Sequence, residues 1–251
     1  MNLDQVRNNG SRQNTEMTVR NRFKIYEPEE RSAVRIPQVA KNERIEELKK
    51  QFKRFEIPKE DNFLYGAPDF PKPNWYYDGI VEHGDLEGYS AEDVEAFSIA
   101  LVELQDEKDF ATKAGMFLSA LINLGTDKTY VIHTQHFEIL PEYLGYKNTK
   151  TIIVKGNVGH LVGNCMTAGK ILVEGDAGKS AGSNLYGGEI EITGNVDNGL
   201  ADEMNGGRII VHGNVEHGIA CHANGGEIHL LGEWKHIFEY WYAETVKIFH
   251  K

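Results

Sequence analysis

In the second half of the chain, apolar and polar residues alternate in short runs that recur every 19 residues. Aligned on these runs, four successive lines begin at Ile152, Ile171, Ile190 and Ile209, and a fifth begins at Ile228. Positions 1 and 3 of every line are apolar, which predicts a short strand that turns alternate side chains towards a core. A constant period without insertion or deletion is typical of a repeat architecture, so each motif inside it must be interpreted by its place in the repeat.

Each line also contains two glycine-rich positions that predict corners. Position 5 is glycine and position 6 is Asn or Asp in the first four lines, a pair suited to positive φ and a sharp turn. An Ala-Gly or Gly-Gly pair near the end of each line predicts a second corner. Side chains stacked at position 6 are expected to exchange amide hydrogen bonds between coils. The residues that define the repeat are Gly156, Gly175, Gly194, Gly213, Gly232, Asn157, Asp176, Asn195, Asn214, Gly188, Gly207 and Gly226.

These features predict a mainly β fold, a right-handed parallel β-helix of 19-residue coils, with an α-helical N-terminal region and a C-terminal capping helix. One strand, a corner, extended chain and a second corner fill the period, and no helix fits beside them. A leucine-rich repeat and a doubly wound sheet are therefore disfavoured. Successive coils are expected to stack about 4.8 Å apart, so residues at equal positions form columns.

The chain divides into four predicted regions. Residues 1–38 are expected to be a flexible arm and residues 39–128 a mainly α-helical domain. Residues 129–232 form the β-helix, and residues 233–251 form an amphipathic C-terminal helix. The two ends of a β-helix expose unpaired strand edges, and the helical regions are well placed to cap them.

Local signals place the elements of the helical domain. A helix is predicted from Asn42, with Ile45, Leu48 and Phe52 on one apolar stripe. A capping box at Ser90 begins a second helix, and another helix ends at a glycine, residue 125. Residues 62–79, rich in Pro and aromatic residues, are expected to be an irregular connector.

Charge and cysteine content narrow the class of protein. Against 27 Lys and Arg there are 38 Asp and Glu, a net charge of −11, which argues against nucleic acid or a membrane surface as a partner. No apolar run approaches the length of a membrane-spanning helix. Only two cysteines occur, Cys165 and Cys221, so a reduced, cytoplasmic protein is expected.

The stretch GDAGKSAGS, residues 175–183, contains a GKS typical of a P-loop and a G-x-S-x-G typical of a hydrolase nucleophile. A P-loop needs a glycine five residues before Gly178, and that position is Val173, a predicted core residue. A nucleophile elbow needs a helix directly after Ser180, where the repeat continues into another coil. Both motifs are therefore interpreted as by-products of the repeat.

No catalytic residue, cofactor site or metal site is assigned. Five of the ten histidines lie in the last two lines, and His217 and His236 share position 9, so they are expected to stack. These two and His222 are the candidate metal ligands. No carboxylate or cysteine accompanies them at a known ligand spacing.

The repeat resembles the GXGXG repeat domain, which forms the C-terminal β-helix of the glutamate synthase large subunit and recurs in one of the subunits of formylmethanofuran dehydrogenase. The resemblance covers roughly residues 130–232. The matching residues are Gly156-Asn157-Val158-Gly159, Gly163, Met166, Gly169, Gly175-Asp176-Ala177-Gly178, Gly182, Gly187-Gly188 and Met204-Asn205-Gly206-Gly207. In glutamate synthase this domain is a scaffold without catalytic residues, so the resemblance implies a structural role.

Three functions follow as hypotheses. The first is a non-catalytic scaffold or accessory subunit whose partners are protein subunits of a glutaminase, flavin or iron-sulfur type. The second is a self-assembling β-helix, a homo-oligomer that grows through bare ends. The third is a hydrolase that uses Ser180 with a nearby histidine, His160 or His217.

Overall fold

Seven parallel strands, hydrogen-bonded in chain order, form one sheet in the computed structural model, which describes residues 43–57, 73–235 and 245–250. The predicted arm at residues 1–38 lies outside the described residues. The strands are β1 (Thr129–His133), β2 (Thr151–Lys155), β3 (Lys170–Glu174), β4 (Glu189–Ile192), β5 (Arg208–Val211), β6 (Gly226–Leu230) and β7 (Val246–His250).

The register of the central strands follows the 19-residue period. Ile152 pairs with Ile171, which pairs with Ile190, and the column continues through Ile209 to Ile228. A second series of parallel bridges links position 7 of successive coils, on another side of each coil. Both columns are buried except at Trp234, which is half-buried. The prediction of a mainly β fold, a parallel β-solenoid of 19-residue coils, is confirmed.

The position-5 glycines are needed for a reason other than the predicted one. Gly156 has a φ of 122°, but the later position-5 glycines do not adopt positive φ. A Cβ on Gly194 would lie 2.5 Å from the carbonyl oxygen of Gly175 in the preceding coil. Coils therefore approach each other too closely for a side chain at this position. The prediction of positive φ is wrong for Gly175, Gly194, Gly213 and Gly232.

The second corner has the predicted conformation. Its closing glycines have φ values of 79°, 85°, 81° and 109°, in the left-handed region that favours glycine. These residues are Gly169, Gly188, Gly207 and Gly226.

Between the two corners, the four coils that begin at residues 152, 171, 190 and 209 adopt positive φ at positions 10, 12 and 14, which the sequence analysis did not anticipate. Glycines occur in only two of these columns, so the pattern was only partly visible in the sequence. The three columns are Leu161, Ser180, Gly199 and Gly218; Gly163, Gly182, Ala201 and Ala220; and Cys165, Asn184, Glu203 and His222.

The position-6 column is bonded differently from the predicted amide exchange. The side-chain oxygen of each residue accepts a hydrogen bond from the backbone N–H of the next. Asp176 N–H donates to Asn157 Oδ1 at 2.8 Å, and Asn195 N–H donates to Asp176 Oδ1 at 2.6 Å. The same bond recurs from Asn214 to Asn195 and from Glu233 to Asn214. Only an oxygen is required, which explains why Asp replaces Asn without a change of conformation.

The described helices are α1 (Glu43–Arg54), α2 (Pro73–His83), α3 (Ala91–Ala100), which continues as a 3₁₀ turn, Leu101–Leu104, and α4 (Phe110–Leu124). The predicted apolar stripe of α1 is buried, and α3 begins with the predicted capping box. Residues 73–79 belong to α2, so the predicted irregular connector is wrong there, and residues 62–72 lie outside the described part.

The helices α3 and α4 pack against the first coil. Ser98 Oγ on α3 accepts a hydrogen bond from the His133 N–H of β1 at 3.1 Å. Ser119 Oγ on α4 accepts hydrogen bonds from Gly145 and Tyr146 N–H at 2.9 and 3.2 Å. Gly125, which follows α4, is extended (φ −70°), and a Cβ there would clash with the Tyr130 hydroxyl. This glycine is therefore needed for a close approach to β1.

At the other end of the solenoid, residues 246–250 form β7, where the sequence predicted a capping helix. Val246 and Ile248 are turned inward, and Ile248 pairs with Ile228 of β6. Pairing as a strand satisfies the backbone groups at the edge of β6, which a helix would leave open. The helix prediction is wrong for these residues, and residues 236–244 lie outside the described part.

Candidate functional site

Ser180 shares its backbone conformation with its column. Its φ is 58°, and Leu161, Gly199 and Gly218 at the same position of other coils also have positive φ. The neighbouring His160 accepts, at Nδ1, a hydrogen bond from the backbone N–H of Lys179 at 2.8 Å. The turn around Ser180 is thus the ordinary turn of the repeat, followed by another coil.

Two of the three histidine candidates lie on the surface. His217 and His222 are exposed, and His236 lies outside the described residues, so the predicted stacking with His217 stays a prediction. Within residues 43–57, 73–235 and 245–250, no three His, Cys, Asp or Glu side chains are arranged to hold a metal ion.

Both cysteines are free and half-buried, each beside a polar neighbour. Burial raises the pKa of the Cys165 thiol. Burial also raises the pKa of Cys221, and the negative charge of the nearby Asp202 raises it further. The pKa of Asp202 is itself raised, first by burial and then by the adjacent Glu203. Thiols with raised pKa values are less often deprotonated at neutral pH and are therefore weaker nucleophiles there.

The outward side of the sheet presents a strip of mostly apolar residues. Position 2 of each 19-residue line faces away from the core. It pairs with position 2 of the neighbouring lines and, at the two ends, with the equivalent residues of β1 and β7. Phe249, 46% exposed, stacks on His229 with ring centroids 4.5 Å apart. The members of this outer strip are Val131, Ile153, Leu172, Glu191, Ile210, His229 and Phe249.

Ion pairs connect successive strands along the outer strip. Lys170 Nζ lies 2.7 Å from Glu191 Oε2 and 2.9 Å from Glu189 Oε1. His212 Nε2 lies 3.0 Å from Glu191 Oε1. The hydrogen bonds from Lys170 and then from His212 lower the pKa of Glu191. The strip is thus mostly apolar along its centre, where Glu191 and His229 interrupt it, and charged along its borders.

A second feature, missed in the sequence analysis, is a buried lysine beside a cavity of about 510 Å³ between the end of α1 and the start of α4. Lys113 is only 3% exposed, and burial lowers its pKa. It is the only charged residue of α4, and that lone charge in an apolar helix was a signal available in the sequence. The cavity is lined by Lys53, Phe55, Glu56, Ile57, Glu107, Lys108, Asp109 and Lys113.

Comparison with known proteins adds no identity. No family model matches the chain, and neither the curated proteins nor the solved structures include a significant match. None of the described helices is long and apolar enough to cross a membrane. The functional argument therefore depends on the geometry of this chain.

Proposed function

We propose that this protein is a non-catalytic scaffold or accessory subunit that holds partner subunits of an amidotransferase or oxidoreductase. The observation that carries the proposal is the outer strip, a mostly apolar surface that runs the length of the sheet, is interrupted by Glu191 and His229, and is bordered by charges. Apolar patches rimmed by polar residues are typical of protein–protein contact sites. The resemblance of the repeat to the GXGXG domain supports the same role.

The distance between successive strands gives the outer strip a length suitable for binding a partner subunit. Seven strands about 4.8 Å apart span roughly 29 Å, comparable with the width of a standard protein interface. Its ends differ, because α3 and α4 cover the first coil through Ser98 and Ser119. That asymmetry favours one fixed orientation for a partner. The two free thiols agree with a cytoplasmic location, where cysteines stay reduced.

The test is a native pull-down of the tagged protein from its own cells, with the partners identified by mass spectrometry. A stoichiometric glutaminase, flavin or iron-sulfur protein is the expected result. The double variant Leu172→Glu with Ile210→Glu places charges in the outer strip and is expected to release that partner.

Asn198→Glu is the matched control, because residue 198 is exposed on a different side of the coil. It is expected to retain the partner. Recovery of the wild-type protein alone, or a partner equally retained by the double variant, would show the proposal to be wrong.

A further inference from the structure

The amine of Lys113 is buried among apolar groups and has only distant polar neighbours. Its Nζ lies 4.7 Å above the centre of the Phe52 ring. The nearest oxygens are the Lys53 carbonyl at 3.5 Å and Glu107 Oε2 at 3.7 Å. An ammonium group has three protons to donate, and buried polar groups normally have close partners. This amine is therefore poorly compensated as a cation.

An aromatic cluster accounts for the loss of solvation. The Phe52 ring packs edge-on against Phe97, Phe110 and Phe117 at centroid distances of 6.3, 6.0 and 5.5 Å. Burial lowers the pKa of Lys113, and this effect exceeds the opposing attraction of the acids Glu107, Glu56 and Asp109. Burial therefore favours the neutral amine, which is the form that attacks carbonyl carbons.

We propose that Lys113 is a reactive amine that captures a small carbonyl compound bearing an anionic group, as a reversible imine in the adjoining cavity. The volume of about 510 Å³ lies within the range of small-molecule sites. Lys53 in the lining offers a counter-charge for the anionic group. Lys108 already pairs with Asp109 at 3.4 Å, and the carboxylates of Glu56 and Glu107 also line the cavity. This inference does not depend on the scaffold function.

The chemistry needs no oxidant or reductant. The lone pair of neutral Nζ attacks the carbonyl carbon, the C=O π electrons move to oxygen, and a proton from the nitrogen is relayed to that oxygen. The resulting carbinolamine loses its hydroxyl as water, with a proton returned from an acid, and leaves the C=N bond. Glu107, whose carboxylate is the nearest to Nζ, is placed to relay these protons.

The test is reductive trapping of the full-length protein with glyoxylate and cyanoborohydride at neutral pH, followed by peptide mapping. A lysine with a lowered pKa has a larger neutral fraction at neutral pH. We therefore expect Lys113 to be labelled faster than Lys108, whose side chain is 68% exposed. Propanal, which lacks the anionic group, is expected to label Lys113 more slowly than glyoxylate.

Two variants complete the design. Lys113→Arg keeps a cation at the site but has no nucleophilic amine, and it is expected to lose the fast-labelled peptide. Lys108→Met is the matched control in the same cavity and is expected to keep fast labelling of Lys113. In denaturant the preference for Lys113 over Lys108 should vanish. Labelling of Lys113 no faster than that of Lys108 in the folded protein would overturn the proposal.

Discussion

At the scale of single residues, each position of the repeat requires a particular atom, or the absence of one, rather than a particular residue type. Position 6 uses a side-chain oxygen, which Asn and Asp supply equally. Position 5 requires a residue without a Cβ, because a Cβ on Gly194 would lie 2.5 Å from the carbonyl oxygen of Gly175 in the preceding coil. Position 10 tolerates Leu, Ser and Gly in one conformation. A catalytic motif read across these columns, such as the one around Ser180, is therefore explained by the repeat.

The oxygen requirement at position 6 can be tested at Asp176. Asp176→Ala removes the acceptor of the Asn195 N–H and is expected to lower the free energy of unfolding by about 0.5–1.5 kcal/mol. Asp176→Asn keeps an oxygen in place and is expected to stay within about 0.5 kcal/mol of the wild type. Urea unfolding followed by circular dichroism measures both. Equal losses for the two variants would show that the charge, and not the hydrogen bond, matters.

At the scale of elements, successive strands are joined by ion pairs between side chains as well as by backbone hydrogen bonds. Glu191 on β4 contacts Lys170 on β3 and His212 just after β5. Because the folded-state pKa of Glu191 lies below the ordinary value of 4.5, its stabilising effect is present above about pH 4.5. That effect is lost as the pH falls through the lower folded-state value.

Glu191→Gln is therefore expected to destabilise the protein by a few tenths to about 1 kcal/mol at pH 7, as is usual for partly exposed pairs. The difference from the wild type should shrink towards zero near pH 3, where Glu191 is increasingly protonated. Urea titrations at several pH values measure it, with Glu87→Gln, in the exposed turn before α3, as the control. A difference that persists at pH 3 would contradict the ion-pair explanation.

The contact between α4 and the first coil includes one buried hydroxyl, that of Ser119. Ser119 Oγ, on a residue 1% exposed, accepts from the Gly145 N–H, whose acceptor is lost in Ser119→Ala. We expect a loss of about 2–3 kcal/mol, the cost of leaving a buried donor unsatisfied. Ser98→Ala on α3 affects one amide, that of His133, and is expected to cost about 1–2 kcal/mol. Urea unfolding is the measurement, and two values within about 0.5 kcal/mol of the wild type would exclude docking through these serines.

The sequence predicts elements best where the period is strict. The coils from Ile152 to Ile228 were predicted to the residue, because each column repeats without a gap. The last coil is longer than 19 residues, so the inward residues of β7 do not follow the 19-residue spacing. The sequence analysis therefore predicts a helix there instead of a strand. Helix α2 begins in a Pro- and aromatic-rich stretch whose local signals favour a connector. The Lys113 cavity depends on the contact of α1 with α4, which no local pattern encodes.

At the scale of the whole molecule, the solenoid is a one-dimensional stack in which each coil contacts its neighbours. The helices α3 and α4 contact the first coil through Ser98 and Ser119, and the central coils repeat the same contacts with one another. The length of the stack is therefore independent of the conformation of any coil. What must be preserved is the register, since a shift of one residue turns every inward side chain outward.

Deletion of residues 190–208 removes one full period and joins Glu189 to Ile209, so Ile209 takes the place of Ile190 beside Ile171. We expect this variant to fold cooperatively, with β-rich circular dichroism and a smaller urea m-value, because less surface is buried. Deletion of residues 190–207 leaves Arg208 in that place, which turns the inward positions of every later strand towards solvent. We expect it to aggregate or to lose cooperative unfolding. Because the two variants differ by a single residue, equal behaviour would mean that the column register does not hold this fold together.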